Sequence, residues 1–208
     1  MSDLFFLQDS RNNVGSRAMF WRNGGGYTSN LDEAEQFTWE RALKNYENRQ
    51  TDLPLPVSYT QDRAETGVDC QYLTRSEADA YRDTDGRFYV AYARDWDGND
   101  LIWLGGSGPT ANLEGAIHPG GEDAMRYRSQ GFDLWPCGYI AARSRQVVRA
   151  SLLDHKQALR DVGLRLPRIK VQRTKTFSNL TNCEGCGRFL SERQRFDDCP
   201  NCGARNAP

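Results

Sequence analysis

The sequence predicts an α+β protein with two tandem copies of a small module, then a basic connector and a compact C-terminal tail. Each module is expected to combine a few antiparallel strands with one main helix on a face. Three observations predict this organisation: a self-similarity at a spacing of about 80 residues, positive charge concentrated in one segment, and two Cys-x-x-Cys pairs near the end. Hydrophobic residues make up 38% and charged residues 26% of the 208 positions, the composition of a folded chain.

The self-similarity extends over most of the first 140 residues. The aligned stretches are residues 26–34 (GYTSNLDEA) with 108–116 (GPTANLEGA), 55–59 (LPVSY) with 135–139 (WPCGY), and 5–7 (FFL) with 88–90 (FYV). Matches in the same order, with only small gaps, predict a duplicated module. We place one copy in residues 1–62 and the other in residues 86–146.

Each copy is expected to begin with two strands. An aromatic and aliphatic run, at 4–7 in the first copy and 88–92 in the second, predicts the first strand. Gly15 or Gly98 marks the turn that follows, and a second apolar run predicts the second strand. A cluster of glycines then supplies the freedom for positive φ that the next turn requires.

A helix and a closing strand are expected to follow in each copy. Asn30 and Asn112 each precede a leucine and an acidic residue, as at a helix N-cap. The main helix is predicted over about 39–49 in the first copy and from near Gly121 in the second. The aligned runs LPVSY and WPCGY predict an edge strand, where proline is tolerated.

The first copy also carries a pattern found in other small proteins. The pattern consists of Gln8, Asp9, Ser10, Arg11, Val14, Gly15, Phe20, Trp21, Gly26, Tyr27, Thr28, Leu31, Asp32, Ala34, Phe37 and Thr38. It resembles small, uncharacterised proteins of bacteriophages and their bacterial hosts, and the second copy keeps part of it. The resemblance implies a phage or mobile-element origin, and it does not imply any particular activity.

Charge divides the chain into two parts. Residues 1–140 hold 13 Lys and Arg against 22 Asp and Glu, whereas residues 141–208 hold 14 against 6. The positive excess comes from ten residues: Arg143, Arg145, Arg149, Lys156, Arg160, Arg165, Arg168, Lys170, Arg173 and Lys175. Such a segment predicts an anionic partner, commonly nucleic acid, or else contact with the protein's own acidic N-terminal part.

Two connecting segments follow from the bounds of the copies. Residues 63–85 are acidic and are predicted to be a linker with a short helix, either solvated or in contact with a basic partner. Residues 147–182 form the basic connector, in which a helix is expected from near Ser151 to Gly163. Basic and apolar residues then alternate over 164–177, which predicts an extended strand or arm whose cationic face could track a phosphate backbone.

Four cysteines define the tail, residues 183–208. Cys183 and Cys186 form one Cys-x-x-Cys pair, Cys199 and Cys202 form the other, and glycine follows each pair. Each tight turn can place two thiolates on one side of a tetrahedral ion, so the pattern predicts a structural zinc site. The tail resembles a zinc ribbon. Four thiolates leave no position for a catalytic water, and disulfides would require an oxidising compartment.

The tail is too short to fold by burying a core of ordinary size, so the metal should stabilise it. Phe189, Leu190 and Phe196 are expected to form a miniature core over the metal. Ribbons of this kind bind nucleic acid, bind proteins or cap a domain, and the locally neutral charge of this one is compatible with all three.

Signs of catalysis are few. His118 and His155 are the only histidines, and Cys70 and Cys137 each stand alone in the sequence. These residues could meet in space as a Cys/His pair for nucleophilic catalysis, but solitary copies are more often ordinary core or surface residues. Trp96 lies in a polar stretch without an aromatic counterpart in the first copy, which makes it a candidate protein contact.

These observations predict a cytoplasmic, non-enzymatic binding protein with structural zinc. The chain shows no secretory signal and no apolar run long enough to cross a membrane. In the leading hypothesis, the basic connector contacts nucleic acid or a nucleoprotein complex. Two alternatives stay open: a phage-type inhibitor that acts on a host protein by protein–protein contact, and an enzyme of unknown class.

Overall fold

The computed structural model of the protein describes residues 4–81, 86–169, 181–191 and 194–205. The chain divides into two compact units, Met1–Pro167 and Arg168–Pro208, and each is described by itself. The first unit combines antiparallel sheets with helices, which confirms the predicted α+β class. Among the helices of the described ranges, none combines the length and the apolar character needed to cross a bilayer.

The first unit contains two halves with the same order of elements. The first half comprises β1 (Phe5–Val14), β2 (Arg17–Trp21), β3 (Tyr27–Thr28), α1 (Trp39–Asn48), β4 (Asp52–Pro56), α2 (Val57–Gln61), β5 (Glu65–Val68) and α3 (Arg75–Ala80). The second half comprises β6 (Phe88–Asp97), β7 (Asp100–Gly105), β8 (Gly108–Thr110), α4 (Gly121–Ser129), β9 (Asp133–Pro136), α5 (Cys137–Ala141), β10 (Ser144–Val147) and α6 (His155–Asp161). In each half, a short 3-10 turn follows the third strand and another follows the fifth: Leu31–Glu33, Cys70–Tyr72, Leu113–Gly115 and Ala150–Leu152.

Each half is built on a four-stranded antiparallel sheet. The strand orders are β3-β2-β1-β4 and β8-β7-β6-β9, which are the same order in the two halves. The register recurs as well, because Phe5 is paired with Pro56 in one sheet and Phe88 with Pro136 in the other. The two halves thus share one strand order and one register, while their origin as two copies of one module stays a prediction.

Local signals account for where the helices begin. Asn30 and Asn112 each accept a hydrogen bond on the side chain from the N–H group two residues later, and so cap the 3-10 turns that follow β3 and β8. α1 covers the predicted range, and α4 begins at the predicted Gly121. These short-range predictions are confirmed.

The closing strands end earlier than predicted. β4 ends at Pro56 and β9 ends at Pro136, and the next residues begin α2 and α5. The φ angles of the two prolines are −55° and −57°, which suit the start of a helix, and a proline offers no N–H to the ladder. The prediction that these strands run on to Tyr59 and Tyr139 was therefore wrong.

β5 and β10 lie outside the four-stranded sheets and pair with each other. Glu65 stands opposite Val147, and Val68 stands opposite Ser144. Glu65 and Ser144 are the first residues of equivalent strands, and Val68 and Val147 are the last. The first residue of each strand therefore pairs with the last residue of the other. This is the arrangement expected around an approximate two-fold axis.

We name residues 65–80 the first exchanged arm, because they pack into the other half of the unit. Val68 and Ala78 of this arm lie in the hydrophobic core of the second half, together with Trp103. The sequence assigned all of these residues to an acidic linker. In the structure they fill a core that the second half cannot complete alone.

Residues 144–161 form the second exchanged arm and mirror the first. Val148 and Ala158 lie in the hydrophobic core of the first half, together with Phe20. Most of this arm belongs to the segment that the sequence assigned to the basic connector. The two arms thus interlock the halves, in keeping with their grouping as one compact unit.

The tips of the first hairpin of each half meet. Gly15 and Gly98 occupy equivalent positions, with φ angles of 59° and 64°. A Cβ atom on Gly15 would lie 2.2 Å from Oδ1 of Asp97, and a Cβ atom on Gly98 would lie 2.5 Å from the carbonyl carbon of Val14. Both the left-handed backbone and the close approach therefore require glycine.

The helix of the basic connector starts later than predicted. α6 begins at His155 rather than near Ser151, because Asp154 is the residue whose side chain accepts hydrogen bonds from the first free N–H groups of the helix. Ser151 belongs to the preceding 3-10 turn. Gly163, with φ of 74°, follows the end of α6 as expected.

The alternating segment after α6 is only partly described. Residues 164–169 form no strand, contrary to one of the two predicted conformations. Leu164 and Leu166 pack against the core of the first half, whereas Arg165 is exposed, so the predicted alternation of apolar and cationic sides is observed there. Residues 170–177 lie outside the described residues.

The C-terminal unit is small. It contains β11 (Thr181–Asn182) paired with β12 (Phe189–Leu190), and a 3-10 turn at Gln194–Phe196. Its core consists of Leu190 with Cys183 and Cys199. The predicted core positions of Phe189 and Phe196 were wrong, since these side chains are 67% and 54% exposed. Successive residues of a strand face opposite sides. In β12 the side chain of Leu190 faces the core, and that of Phe189 faces solvent.

Candidate metal centre and cationic surface

Four sulfur atoms gather in the C-terminal unit. The Sγ atoms of Cys183, Cys186, Cys199 and Cys202 lie within 4.8 Å of one another. The distance between Sγ of Cys183 and Sγ of Cys202 is 3.7 Å, and that between Cys186 and Cys199 is 3.8 Å. A tetrahedral ion with metal–sulfur bonds of about 2.3 Å would place its sulfurs about 3.8 Å apart. The four side chains therefore fit such an ion.

Each Cys-x-x-Cys pair is held by the same backbone turn. The N–H of Gly187 donates to the carbonyl of Cys183, and the N–H of Gly203 donates to the carbonyl of Cys199, both at 2.8 Å. The two glycines have φ angles of 69° and 71°. The glycine after each pair thus supplies the left-handed backbone that these turns require.

The electrostatics of the site favour a bound cation. The backbone N–H of Arg188, assisted by the side chain of Asn201, lowers the pKa of the Cys186 thiol to about 6. The N–H of Ala204 also acts to lower the pKa of Cys202, but the neighbouring thiols outweigh it and raise that pKa to about 12. Four adjacent thiolates repel one another unless a positive ion lies between them.

The donor set also limits what a metal could do here. Four sulfurs complete a tetrahedral shell and leave no position for water or a substrate. Cys183 and Cys199 are buried, while Cys186 and Cys202 face solvent. The arrangement suits an ion that holds two turns together and does not take part in a reaction.

Gly185 allows the two turns to approach each other. A Cβ atom there would lie 2.5 Å from Cβ of Ala204 and 3.2 Å from Sγ of Cys202. We expect Gly185→Ala to weaken metal binding by at least about tenfold, because it displaces the support of a ligand. Competition with a chromophoric chelator measures this. Gly106→Ala is the control, since a Cβ atom there meets nothing within 4 Å; equal affinity in both variants would contradict the prediction.

Two of the ten predicted cations belong to a cluster of ion pairs in which Arg145 is largely buried and Arg149 is 43% exposed. Nη2 of Arg145 lies 2.5 Å from Oδ1 of Asp100 and 3.4 Å from Oδ2 of Asp69. Nε of Arg149 lies 2.7 Å from Oε1 of Glu65. For these residues the structure shows the contact with the protein's own acidic side chains that the sequence left open as an alternative.

The same cluster joins equivalent positions of the two halves. Arg17 is the first residue of β2 and Asp100 the first of β7; Nε of Arg17 lies 2.8 Å from Oδ2 of Asp100. The side chains are 1% and 0% exposed, and Arg17 also pairs with Glu65. We call Arg17, Glu65, Asp69, Asp100, Arg145 and Arg149 the ion-pair cluster. Sequence reasoning missed it, although aligning the copies sets arginine against aspartate at this position.

A third predicted cation is engaged on the surface. Nη2 of Arg143 lies 3.0 Å from Oε2 of Glu77 in the first exchanged arm. Its guanidinium carbon is 3.7 Å from the centre of the Tyr139 ring. Arg143 therefore makes a cation–π contact as well as an ion pair within the protein.

Four other predicted cations lie at the surface with no ion pair in the described part of the chain. Lys156 and Arg160 stand one turn apart on α6, and Arg165 and Arg168 follow it. All four are exposed, and no salt bridge within the described ranges includes them. Lys170, Arg173 and Lys175, the last three of the ten, lie outside the described residues.

Trp96 occupies a strand rather than a loop. It lies in β6 next to the hairpin tip, paired with Leu101, and its side chain is 49% exposed. The exposure leaves an indole surface available to a partner. Its role as a protein contact stays a prediction.

The residues considered for catalysis lie on different elements. Cys70 packs against the core of the second half, and Cys137 begins α5. The ring of His118 lies 5.8 Å from that of Tyr89, and burial lowers the pKa of His155 at the start of α6. The Cys/His pairing for nucleophilic catalysis therefore finds no support in these positions.

Comparison of the chain with protein-family models, with curated proteins and with solved structures finds no match.

Proposed function

We propose that the protein is a non-enzymatic binding protein, stabilised by zinc, that contacts nucleic acid through Lys156, Arg160, Arg165 and Arg168. One observation carries the proposal. The exposed cations of this segment form no ion pair with the described residues, whereas Arg143, Arg145 and Arg149 are paired within the protein. Lys170, Arg173 and Lys175 extend the same run in sequence and belong to the proposal on that ground.

Phosphate binding is the chemistry that such a surface supports. Lysine and arginine side chains release condensed counterions when they neutralise phosphates, so affinity falls steeply as salt rises. Zinc is the proposed metal because four thiolates in tetrahedral geometry are typical of structural zinc sites. Metal-bound thiolates are stable in a reducing compartment, so we place the protein in the cytoplasm. The proposed phage or mobile-element origin rests on the sequence resemblance alone.

We expect the full chain to bind a short single-stranded DNA with an affinity that falls as salt rises. The double variant K156A/R160A should bind more weakly at every salt concentration. It should also lower the slope of log affinity against log salt by about 0.7 for each lost phosphate contact. Fluorescence anisotropy over a range of salt concentrations measures both quantities.

The matched control is R126A/R128A, which removes the same charge from exposed positions on α4. It should leave most of the affinity intact. Absence of binding by the wild-type protein at low salt, to single-stranded and to duplex DNA alike, would overturn the proposal. Equal losses of affinity in both double variants would show that DNA binding responds to net charge alone and not to the position of the cations.

A second candidate function is protein–protein contact, as in a phage-type inhibitor of a host protein. The exposed aromatic rings of Trp96 and Phe189 favour it, since such rings are typical of interface anchors. Affinity capture with and without nuclease separates the two candidates. A partner that survives nuclease treatment supports protein contact.

A further inference from the structure

A polar pocket lies in the first unit where the two halves meet. Its walls come from the segment after β3, from the 3-10 turn of the first exchanged arm, from the second hairpin tip and from β10. The cavity volume is about 160 Å³. Pockets for whole small-molecule ligands usually measure about 300–1,000 Å³. This pocket therefore has room for one group of a larger ligand.

The lining of the pocket carries hydrogen-bonding groups of both kinds. Nη1 of Arg145 donates to Oγ of Ser29 at 2.6 Å, while its buried Nε has no hydrogen-bond partner. Nδ2 of Asn99 donates a hydrogen bond to Oε1 of Gln71 at 3.4 Å, and Oδ1 of Asn99 and Nε2 of Gln71 lie outside that bond. Side-chain amides pair readily with the edges of nucleobases, because each offers a donor and an acceptor in one plane.

The charge of the pocket argues against phosphate as its occupant. The guanidinium of Arg145 is already paired with Asp69, which also lines the pocket, and with Asp100. Glu33 adds a second carboxylate to the wall. An anion would meet these carboxylates, whereas a neutral planar group with donors and acceptors would not.

Two tyrosines add aromatic surface to the walls. Tyr72 is 71% exposed and Tyr27 is 39% exposed, and both line the pocket. Bases stack on such rings in proteins that bind single strands. The exposure of Tyr72 is high for an aromatic side chain that only supports the fold.

The second half shows that the fold does not require these tyrosines. Pro109 is paired with Leu104 where Tyr27 is paired with Trp21, so the two residues occupy equivalent positions. Leu152 ends the 3-10 turn of the second arm, as Tyr72 ends that of the first. The aromatic surface is thus particular to the first half.

We propose that this pocket takes one unpaired base of a single-stranded nucleic acid, which stacks on Tyr72 and meets the amides of Asn99 and Gln71. The inference rests on the proposed function and names the part of the ligand that this site recognises. The exposed cations around α6 supply affinity for phosphate, and the pocket supplies affinity for the base.

The test compares two oligonucleotides of equal length and charge: a short oligothymidylate, and the same backbone with abasic sites throughout. The full-length wild-type protein should bind the first more tightly, by about 5- to 150-fold, the range that stacking of one base provides. Tyr72→Ala should remove most of that preference, and Tyr72→Phe should keep it. Leu152→Ala, at the equivalent exposed position of the second half, is the control and should also keep it.

The outcomes separate the inference from the proposed function. Equal binding of the two oligonucleotides by the wild-type protein would overturn the base pocket and leave the phosphate contact standing. A preference that persists in Tyr72→Ala would place base recognition elsewhere and overturn the assignment to this pocket. Failure to bind either oligonucleotide would overturn the base pocket, and the proposed function falls with it if duplex DNA is not bound either.

Discussion

Replacing Asp100 with alanine should lower the free energy of unfolding of the first unit by about 3–5 kcal/mol, the cost of removing one partner from a buried ion pair. Asp100 is fully buried and contacts both Arg17 and Arg145. Without it, the two guanidinium groups lose a counterion inside the interlocked core. The loss should be large because water cannot replace the carboxylate there.

Tryptophan fluorescence during urea unfolding of the full-length protein measures this change. All five tryptophans lie in residues 1–135, so the signal reports on the first unit alone. The control is Asp123→Ala, which breaks an ion pair whose side chains are 69% and 78% exposed. Such a surface pair contributes about 0–1 kcal/mol. A midpoint shift for Asp100→Ala no larger than that of the control would contradict the prediction.

A double exchange distinguishes a single ion pair from the whole ion-pair cluster. R17D/D100R restores opposite charges at the two positions. It also sets like charges together, because Glu65 contacts position 17 and Arg145 contacts position 100. We expect no recovery of stability from the exchange. Recovery to the wild-type midpoint would mean that Arg17 and Asp100 act as an isolated pair.

Removing the metal should unfold the C-terminal unit and leave the first unit folded. The buried core of the C-terminal unit includes two of the four candidate ligands, so little apolar surface remains to hold it without the ion. Structural zinc supplies about 10–16 kcal/mol to small domains of this kind. Chelation should therefore abolish protection of residues 181–205 against amide hydrogen exchange, and added zinc should restore it.

The variant Cys202→Ser should have the same effect as the chelator. We expect it to lose bound zinc, measured by elemental analysis of the purified protein, with no change in the midpoint of the tryptophan transition. Cys137→Ser removes a thiol from the first unit and should retain the metal. Two results would contradict the prediction of two independent units. One is full metal occupancy in Cys202→Ser, and the other is a midpoint of the tryptophan transition that is lower in this variant than in the wild type.

The sequence by itself determined the parts of the protein that depend on neighbouring residues. The caps at Asn30 and Asn112, the start of α4 and the gathering of the four cysteines all follow from side chains within a few residues of one another or from regular spacing. The same local patterns recur in both halves, and the two halves have the same strand order.

Only the tertiary structure decided where the connecting segments go. Residues 65–80 and 144–161 carry ordinary strand and helix signals, and nothing local specifies that each completes the core of the other half. Their charge was misleading for a related reason. Glu65 and Arg149 stand 84 positions apart and neutralise each other only after the halves have interlocked.

In the basic segment, too, the sequence determines the charges, and the tertiary structure determines the partners of those charges. Composition alone indicated ten cations and left two partners open for them, an anionic ligand such as nucleic acid or the protein's own acidic N-terminal part. Among the residues that the structure describes, Arg145 and Arg149 belong to the ion-pair cluster, while Lys156 and Arg160 lie exposed on α6. Sequence spacing sets the type of each element, but the choice of its partner depends on contacts between residues far apart in the chain, and these exist only in the folded protein.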